Sequence, residues 1–468
     1  MEGLMNLFIS FANWFWGPPI LMLIGFGGVY LTFMTGFVQV RHFPYIVTQT
    51  FGKMFQKVDR EKNPNAVSPF SAAVAALASS IGASNIVGVP VAIVFGGPGA
   101  VFWMWMLAIV GGATKYAEIA LGIQYREKNE KGEYNGGPFY YCSKGLAEKG
   151  MGGLGKFFGA WFAFFLMLEL IPSIATQSAS AVQNAETLGF PPTVTGIVIA
   201  VLVLLVVAGG MTRIASVTDK LVPFMAGIYI VAALIIIGIN ITALPGAFAS
   251  IFIHAFTPHA AVGGFAGSSV AMALRWGAAR GVYSNEAGMG TAPMAHSTAT
   301  VDHPVRQGMW GVFEVVVDTL IVCSVTALAI LTSGVWTTVS PDKAASMPSI
   351  AFSAVFGPAG DYLVTFCVFM FVLSTIIVIV FYGEKQAEFL FGAKFASYWK
   401  YVYILAILGG VFGGLEFLYQ LTDFFLAIII IPNVITLILL AGNVKKLTKE
   451  FFETPGKYYL ADMAAKKK

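Results

Sequence analysis

The chain has 468 residues, of which 57% are hydrophobic and only 11% are charged, and its mean hydropathy is +0.76. This composition excludes an ordinary soluble domain and favours an all-α membrane protein that crosses the lipid bilayer many times. The formal net charge is +4, but the basic residues lie in short loops between apolar segments. They therefore indicate membrane orientation and give no support to a nucleic-acid partner.

Eleven apolar segments are long enough to cross a bilayer, for which a helix needs about 20 residues. The predicted spans are 16–38, 70–95, 98–124, 157–181, 193–210, 220–241, 263–293, 307–332, 361–382, 401–418 and 421–441. The first follows Glu2 instead of a basic region and has no small-residue cleavage site after it. We therefore expect a retained helix and not a cleaved signal peptide.

Basic residues alternate between the two sides of the predicted membrane. They are dense after the first and third spans and in the tail from Lys445 to Lys468, whereas the opposite loops contain only Lys343. The bias predicts a cell-membrane protein with its N-terminus outside and its C-terminus in the cytoplasm. The segment 242–262, which has no Lys or Arg, is then extracellular, and we expect a short surface helix in it.

Two spans carry glycine and polar residues through their middles. These are Ser79–Gly88 in the second span and Ala273–Gly290 in the seventh. They lie five spans apart and run in opposite directions in the predicted topology. A matched pair of interrupted helices favours a transporter built from inverted repeats, with its binding site at the breaks. Close helix packing at the glycines, without unwinding, is the alternative.

This pairing predicts that spans 2–6 and 7–11 form two inverted five-helix repeats after a peripheral first helix. The expected divisions are 1–62 for the peripheral helix and a basic loop, 63–242 for the first repeat, 243–262 for the extracellular connector, 263–443 for the second repeat and 444–468 for a basic tail.

At several motifs the chain resembles the alanine or glycine:cation symporter family of the amino acid-polyamine-organocation superfamily. The first motif comprises Gly96, Gly97, Gly99, Phe102, Trp103, Met104, Trp105 and Gly111. Further similar segments are Asn135–Tyr141, Gly209–Met225, Arg280–His296 and Phe313–Leu328. The resemblance implies a leucine-transporter-like fold and sodium-coupled uptake of alanine or glycine. The chain departs from the family at Ser84, usually glycine, and at Ala179, usually a second amide after Gln177.

A small zwitterionic amino acid needs a fixed partner for each of its charges in a site without bulk water. In the second span, amides freed at Gly82, Ala83, Ser84 and Asn85, with the positive end of the outer half-helix, are expected to hold the carboxylate. The Ser84 hydroxyl could add a donor. Packing is the alternative for each residue alone.

The ammonium and side chain of this substrate are expected to face the seventh span. Counting residues from its outer end puts Ala273 to Gly277 at the midplane. Carbonyls freed around Ala273 and Trp276 would accept from the ammonium, and the Trp276 indole would limit side-chain size. Gln177 is a further candidate ligand. The alternatives are a helix interface for Trp276 and an interhelical hydrogen bond for Gln177.

The resemblance to the leucine-transporter fold implies a sodium site between the break in the second span and the ninth span. Sodium prefers hard oxygen ligands. The candidate shell comprises the carbonyls of Ala78, Ile81 and Phe371 with the hydroxyls of Ser374 and Thr375. Such hydroxyls also bond back to the preceding turn of their own helix, so the pattern alone is not diagnostic.

Asp318 is a carboxylate near the middle of the eighth span, where ionisable residues are functional hypotheses by default. It could bind a second cation together with Asn85, titrate and support proton coupling, or simply bond to a neighbouring helix.

Other charged residues fall at membrane depth. Lys115 and Glu118 are three apart on one helix and are expected to pair, and Glu286 with Arg275 and Arg280 is expected to lock the cytoplasmic side of the seventh span. The five histidines lack metal-ligand spacing, and no chemistry is assigned to them.

The sequence thus predicts a secondary transporter and not an enzyme, with sodium as the co-transported ion. A transporter of the same fold for a larger amino acid, a nucleobase or a polyamine is the principal alternative, and proton coupling is another. A channel would need a continuous polar lining, and a membrane enzyme a clustered catalytic motif such as H-E-x-x-H. The sequence offers neither.

Overall fold

The computed structural model describes residues 10–12, 14–54, 67–129, 132–258, 268–412 and 414–465. Within them the chain is a bundle of helices, with two short antiparallel strands, β1 (Glu127–Lys128) and β2 (Tyr134–Asn135). The predicted divisions at 62/63 and 262/263, and the start of the seventh span at 263, lie outside the described residues.

The first half of the chain contains helices on both sides of the β1–β2 hairpin. They are α1 (Pro18–Met34), α2 (Val38–Arg41), α3 (Phe43–Gln49), α4 (Pro69–Ser80), α5 (Val89–Gly96), α6 (Gly99–Gln124), α7 (Pro138–Tyr140), α8 (Leu146–Glu148), α9 (Gly152–Glu186), α10 (Pro192–Val207), α11 (Gly210–Ile239) and α12 (Leu244–His254). Stretches of π-helix cover Ser84–Gly88 and Tyr141–Gly145, and 3-10 turns cover Phe51–Lys53 and Ile241–Ala243.

The second half of the chain is also helical. Its helices are α13 (Val270–Asn285), α14 (Ala292–His296), α15 (Pro304–Val315), α16 (Ser324–Ser333), α17 (Met347–Phe356), α18 (Pro358–Phe391), α19 (Ala393–Phe412), α20 (Leu415–Leu439), α21 (Ala441–Glu453) and α22 (Tyr458–Ala465). A π-helix over Val316–Cys323 joins α15 to α16, and 3-10 turns cover Val335–Thr337 and Pro341–Ser346.

Each of the eleven predicted spans contains a helix. Seven helices in the described part of the chain are long and apolar enough to cross a membrane, and the bent pair in the second span makes up to eight. Helices α1 and α10 are apolar but shorter. The prediction of an all-α, multi-pass membrane protein is therefore confirmed, whereas the count of eleven spans and the inverted repeat remain predictions.

The second span is broken, as expected. Helix α4 ends at Ser80 and helical structure resumes at Ser84. The axes of the two halves, Pro69–Ser80 and Ser84–Gly96, are bent by 47°. Helix α4, the first half of this span, begins at Pro69 because Ser68 caps it, its Oγ accepting from the Ser71 amide at 2.9 Å. The interruption between them is Ile81–Ala83.

The seventh span is also broken, but not where residue counting placed the break. Helix α13 is continuous through Ala273 and Trp276, so the expectation of freed carbonyls there is wrong. The chain unwinds at 286–291 instead. In this segment Glu286, Gly288 and Gly290 have positive φ angles of 57°, 93° and 75°, respectively. Glycine adopts such angles without strain, and the two glycines therefore decide the position of the break.

The connector after α11 contains the expected surface helix, α12, although residues 259–267 lie outside the described part of the chain. Aromatic residues at the start of α6 pack on it. The Phe102 ring lies 5.0 Å from that of Phe256, and the Trp103 indole donates to the Ala255 carbonyl at 3.1 Å. These motif residues therefore serve packing at the end of the bundle.

The C-terminal helices fold back on α3, a short helix in the segment that follows α1. The Tyr45 hydroxyl donates to Asp462 at 2.6 Å, and Arg306 donates to the same carboxylate at 2.9 Å. Burial, followed by the hydrogen bond to Asp462, raises the pKa of Tyr45, so this phenol stays protonated as a donor. The first loop and the tail consequently lie on one side of the molecule, as the charge pattern predicts.

Helix α9 lies at the centre of one half of the bundle and contacts α18, α19 and α20, whereas α6 contacts α13 and α15 in the other half. Close approach of α19 to α9 depends on Gly410. A methyl group there would overlap the Ala175 carbonyl oxygen, but one on the adjacent Gly409 would meet open space.

Substituting Gly410→Ala should therefore destabilise the fold, and Gly409→Ala is a matched control in the same helix. Both changes favour the helix equally, but the overlap should cost about 1 to 3 kcal/mol. We expect a lower melting temperature for Gly410→Ala than for Gly409→Ala in detergent solution. Equal melting temperatures would contradict this packing.

Candidate functional site

The break in the second span is held together by side chains. The Gly82 amide donates to Asn85 Oδ1 and the Ala83 amide donates to Gln177 Oε1, each at 3.0 Å. Both amides belong to the set predicted to hold a carboxylate, and in the structure each is bonded to a side-chain oxygen. Gln177, on α9, is thereby brought to the break.

The ninth span meets the same break through Thr375 on α18. Its hydroxyl donates to the Ala78 carbonyl at 2.9 Å and lies 3.5 Å from the Ile81 carbonyl. A methyl group on Gly82 would lie 2.7 Å from Thr375 Oγ1 and 3.2 Å from the Gln177 amide, so only glycine permits this approach. Two carbonyl oxygens and a hydroxyl converge here, and such oxygens suit a hard cation.

The other two predicted cation ligands lie next to Thr375 on α18. The Ser374 hydroxyl donates to the Phe371 carbonyl at 2.9 Å, and it also lies 3.6 Å from the sulfur of Met225 on α11. Ser374 therefore faces α11, whereas Thr375 faces the break.

Ser84 lies inside the π-helix that follows the break. Its hydroxyl donates to Asn85 Oδ1 at 3.2 Å and contacts the Ser80 carbonyl at 3.4 Å. The structure thus uses this hydroxyl to connect the two halves of the broken span.

Asp318 is buried beside the break. It accepts from Asn85 Nδ2 at 2.7 Å, from Ser284 Oγ at 2.5 Å and from Thr319 Oγ1 at 2.9 Å. The predicted neighbours Asn85 and Asp318 are therefore in contact. Ser284, which sequence reasoning missed, joins them to the end of α13; its place in the polar run before the second break was the available signal.

Lys115 does not make the expected pair with Glu118. Its Nζ lies 3.7 Å from Glu314 and 3.9 Å from Glu286, and it donates to the Asn285 carbonyl at 2.8 Å. These side chains are buried. Spacing on one helix favoured Glu118, but the unwound end of α13 brings a carboxylate and a carbonyl closer.

Glu118 instead stabilises the unwound segment 286–291. Its Oε1 accepts from the Gly288 and Gly290 amides at 3.0 Å each and from Asn433 Nδ2 at 2.6 Å. Asn433, on α20, was not predicted. An unpaired backbone amide at membrane depth is costly, and a buried carboxylate satisfies two of them here.

Arg280 pairs with Asp423 on α20, and its guanidinium also lies 5.4 Å from the Tyr419 ring. It precedes the unwound segment, so in the predicted topology it lies on the outer side of the break in the seventh span. The expectation of a cytoplasmic lock formed by Arg280 with Glu286 is therefore wrong. Counting from a presumed outer end had misplaced the break itself.

The remaining predicted ligands on the seventh span lie away from Gly82. The Trp276 ring stacks on Phe95, with centroids 4.9 Å apart, near the C-terminal end of α5. A methyl group on Gly277 would overlap the Ala100 carbonyl oxygen, and Ala273 is buried one turn earlier. The structure gives these three residues a packing role between α13, α5 and α6.

The buried charge cluster predicts that the stability of the folded protein depends on Lys115. Lys115→Met leaves Glu286 and Glu314 without their counter-charge, and breaking a buried pair typically costs about 3 to 5 kcal/mol. We expect a large fall in melting temperature and in the yield of folded protein. Lys156→Met, at an exposed position, should leave both unchanged. A stable Lys115→Met protein would contradict the assigned pairing.

Comparison with known proteins places this geometry in context. The model of the family described as "Sodium:alanine symporter family" matches residues 1–462. The uncharacterized transporter YflA of Bacillus subtilis is 48% identical over 466 residues, covering 99% of this chain and 96% of that protein.

Two relatives with more specific names are also similar to the chain. The sodium/alanine symporter AgcS of Methanococcus maripaludis is 38% identical, with 95% of this chain and 98% of that protein covered. The probable sodium/glutamine symporter GlnT of Bacillus subtilis is 33% identical, with 96% and 91% covered.

Proposed function

Because this chain belongs to the sodium:alanine symporter family, whose members are transporters and not enzymes, we propose that it carries alanine or glycine into the cell together with sodium. The observation that supports this most is the contact of Thr375 with the carbonyls of Ala78 and Ile81. It joins the ninth span to the break in the second at a set of oxygens that suits sodium.

The proposed architecture is a leucine-transporter-like pair of inverted repeats, spans 2–6 and 7–11, within 63–242 and 263–443. The breaks at Ile81–Ala83 and 286–291 are counterparts in this scheme, each leaving backbone groups that side chains satisfy. In the proposed orientation the N-terminus is outside and the C-terminus is cytoplasmic, in keeping with the basic loops.

In the proposed sodium site the ion lies between Thr375 Oγ1 and the Ala78 carbonyl, where the hydroxyl proton now points. The hydroxyl then turns its oxygen toward sodium and stops donating to Ala78. The carbonyls of Ala78 and Ile81 complete the part of the shell that lies on the break, and Phe371 with Ser374 would supply the rest. Ordering of Ile81 by the ion would make access to the break depend on sodium.

For the substrate carboxylate, we propose the amides of Gly82 and Ala83. The side-chain oxygens of Asn85 and Gln177 now occupy these amides, and they stand in for carboxylate oxygens. A bound substrate would displace them and free the Gln177 amide to contact the ligand. Ser84 adds a hydroxyl next to this position.

The ammonium partner is proposed at the C-terminal end of α13, where the helix carries partial negative charge. Ser284 in this turn accepts from Asn85 Nδ2 at 3.0 Å, so the turn lies beside the break. This replaces the earlier expectation at Ala273, Trp276 and Gly277, which pack elsewhere. Asp318, in contact with Asn85, is the candidate for a second cation or for a coupled proton.

Transport is proposed to proceed by alternating access. Sodium and amino acid bind at the break, the outer path closes, and one group of helices rocks to open the inside. The 47° bend between α4 and Ser84–Gly96 is the joint at which the two halves of the second span can move independently.

The sodium site predicts unequal roles for the two hydroxyls on α18. Thr375→Val keeps the shape and removes the oxygen that faces the break, so the sodium concentration for half-maximal alanine uptake into proteoliposomes should rise about tenfold or more. Ser374→Ala should raise it less, and the double Ser374→Ala, Thr375→Ala variant should raise it most.

Thr365→Val is the matched control for this series. Its hydroxyl donates to the Asn184 carbonyl at 3.2 Å elsewhere on α18, so the sodium dependence should remain that of the native protein. Unchanged sodium dependence in the double variant would rule out the site.

Small residues around Gly82 and Ala83 predict a small substrate. We expect unlabelled alanine and glycine to compete with labelled alanine in reconstituted vesicles, and leucine and phenylalanine not to compete. Glutamine belongs in the panel because GlnT is a relative. Strong competition by leucine or glutamine would favour a larger amino acid, and ligand-induced thermal shifts would separate a nucleobase or a polyamine from both.

A further inference from the structure

A buried histidine lies between the end of the seventh span and the eighth. His296 is the last residue of α14, and Gln307 Nε2 on α15 lies 2.7 Å from its Nδ1 and 3.0 Å from the Pro69 carbonyl oxygen. A carbonyl oxygen only accepts, so the group that faces Pro69 is the amide NH2, which donates to both partners. His296 Nδ1 is therefore an acceptor without a proton, and the ring proton lies on Nε2.

The other face of the imidazole meets a carboxylate. His296 Nε2 lies 2.6 Å from Glu314 Oε1, within ion-pair distance, although the geometry of the two groups does not form a hydrogen bond. Lys115 lies 3.7 Å from Glu314 and 3.9 Å from Glu286. With a neutral imidazole, one cation thus faces two carboxylates in a buried cluster, and a second proton on His296 would balance the charge.

Charged and titratable groups on the other elements packed here keep the carboxylates in excess. Arg126, at the end of α6, donates to the Ser297 carbonyl at 2.7 Å, and Glu118 lies on the same helix. On α18, the Tyr382 hydroxyl lies 3.2 Å from Ser79 Oγ on α4. Counting these with Asp318, which also interacts with Lys115, four carboxylates face two cations.

The amide of Gln307 is built to respond to that second proton. Its Oε1 is buried and has no hydrogen-bond partner among the described residues, which is unfavourable. If Nδ1 carried a proton, a half-turn of the amide would let Oε1 accept it. The same turn would move Nε2 away from Pro69, so protonation and the bond to Pro69 exclude each other.

We propose that His296 Nδ1 is a proton-binding site whose occupation releases the Pro69 carbonyl, at the start of α4, from its hydrogen bond to α15. The Phe70–Trp310 ring contact and the hydrogen bond from Ser71 to Asp219 remain, so the first turn of α4 is loosened and not detached. The other end of α4 leads into the break at Ile81–Ala83. If the proposed function holds, α4 carries the sodium ligand Ala78 and leads directly into Ile81, and the proton therefore changes access to them. Release of the Pro69 carbonyl itself does not depend on the transported solute.

A thiol reporter tests the release directly in the full-length protein in proteoliposomes. Phe70 lines a cavity of about 300 Å³ together with Pro69 and Arg306, and the three native cysteines are buried. The labelling rate of Phe70→Cys, divided by that of the exposed Ser397→Cys, removes the effect of pH on the thiolate itself.

Loss of one neutral hydrogen bond corresponds to roughly a fivefold change in an equilibrium. If Nδ1 takes up a proton when the pH is lowered from 8 to about 5, we expect the normalised labelling of Phe70→Cys to rise about fivefold. Added His296→Gln should abolish this rise. His42→Gln is the control, since its ring stacks on Phe452 with centroids 3.9 Å apart and the change leaves the bonds of Gln307 in place, so it should preserve the rise.

Gln307→Glu provides a second test that does not alter the histidine. A carboxylate at this position cannot donate to Pro69 and accepts from a protonated Nδ1, so labelling should be high throughout and the midpoint of any remaining pH response should shift upward. A flat native profile, an unchanged rise in His296→Gln, or low labelling in Gln307→Glu would overturn the proposal. Loss of sodium-dependent alanine uptake with the pH response intact would instead count only against the proposed function.

Discussion

The structure depends on how a broken helix satisfies its backbone where no water is available. Every amide and carbonyl freed within a bilayer needs an internal partner, and here side chains supply it. Asn85, in the broken span itself, and Gln177, on α9, hold the first break, and Glu118, on α6, holds the second. Each break is thus held partly by a residue from another span, so the local unwinding depends on how the helices of the bundle pack together.

The same requirement accounts for the unusual number of buried ions. Glu118 is needed by the Gly288 and Gly290 amides, and Lys115 lies near two further carboxylates. Replacing such groups by apolar ones would often be neutral in a rigid protein. In this bundle, which has two unwound segments, the buried charges instead satisfy backbone groups that the unwinding leaves free.

Features of the fold and of the site were predictable where the sequence signal for them is local in the chain. Hydropathy located a helix for every span, and the small polar residues at Ser79–Gly88 located the first break, because both signals are local in the chain. The second break was misplaced, since its position depends on Gly288 and Gly290 adopting left-handed angles and not on distance from a membrane surface. Partners such as Asn433 and Ser284 depend on contacts between spans, which spacing along one helix does not reveal.

The contact between Tyr45 and Asp462 has a consequence for synthesis. The two residues are 417 positions apart, so at about 5 to 20 residues per second the first loop waits roughly 20 to 80 s on the ribosome for its final partner. Arg306 reaches the membrane earlier but shares that partner. The contacts on the side of the bundle that carries the first loop therefore form last, when the C-terminal helix with Asp462 has been synthesised.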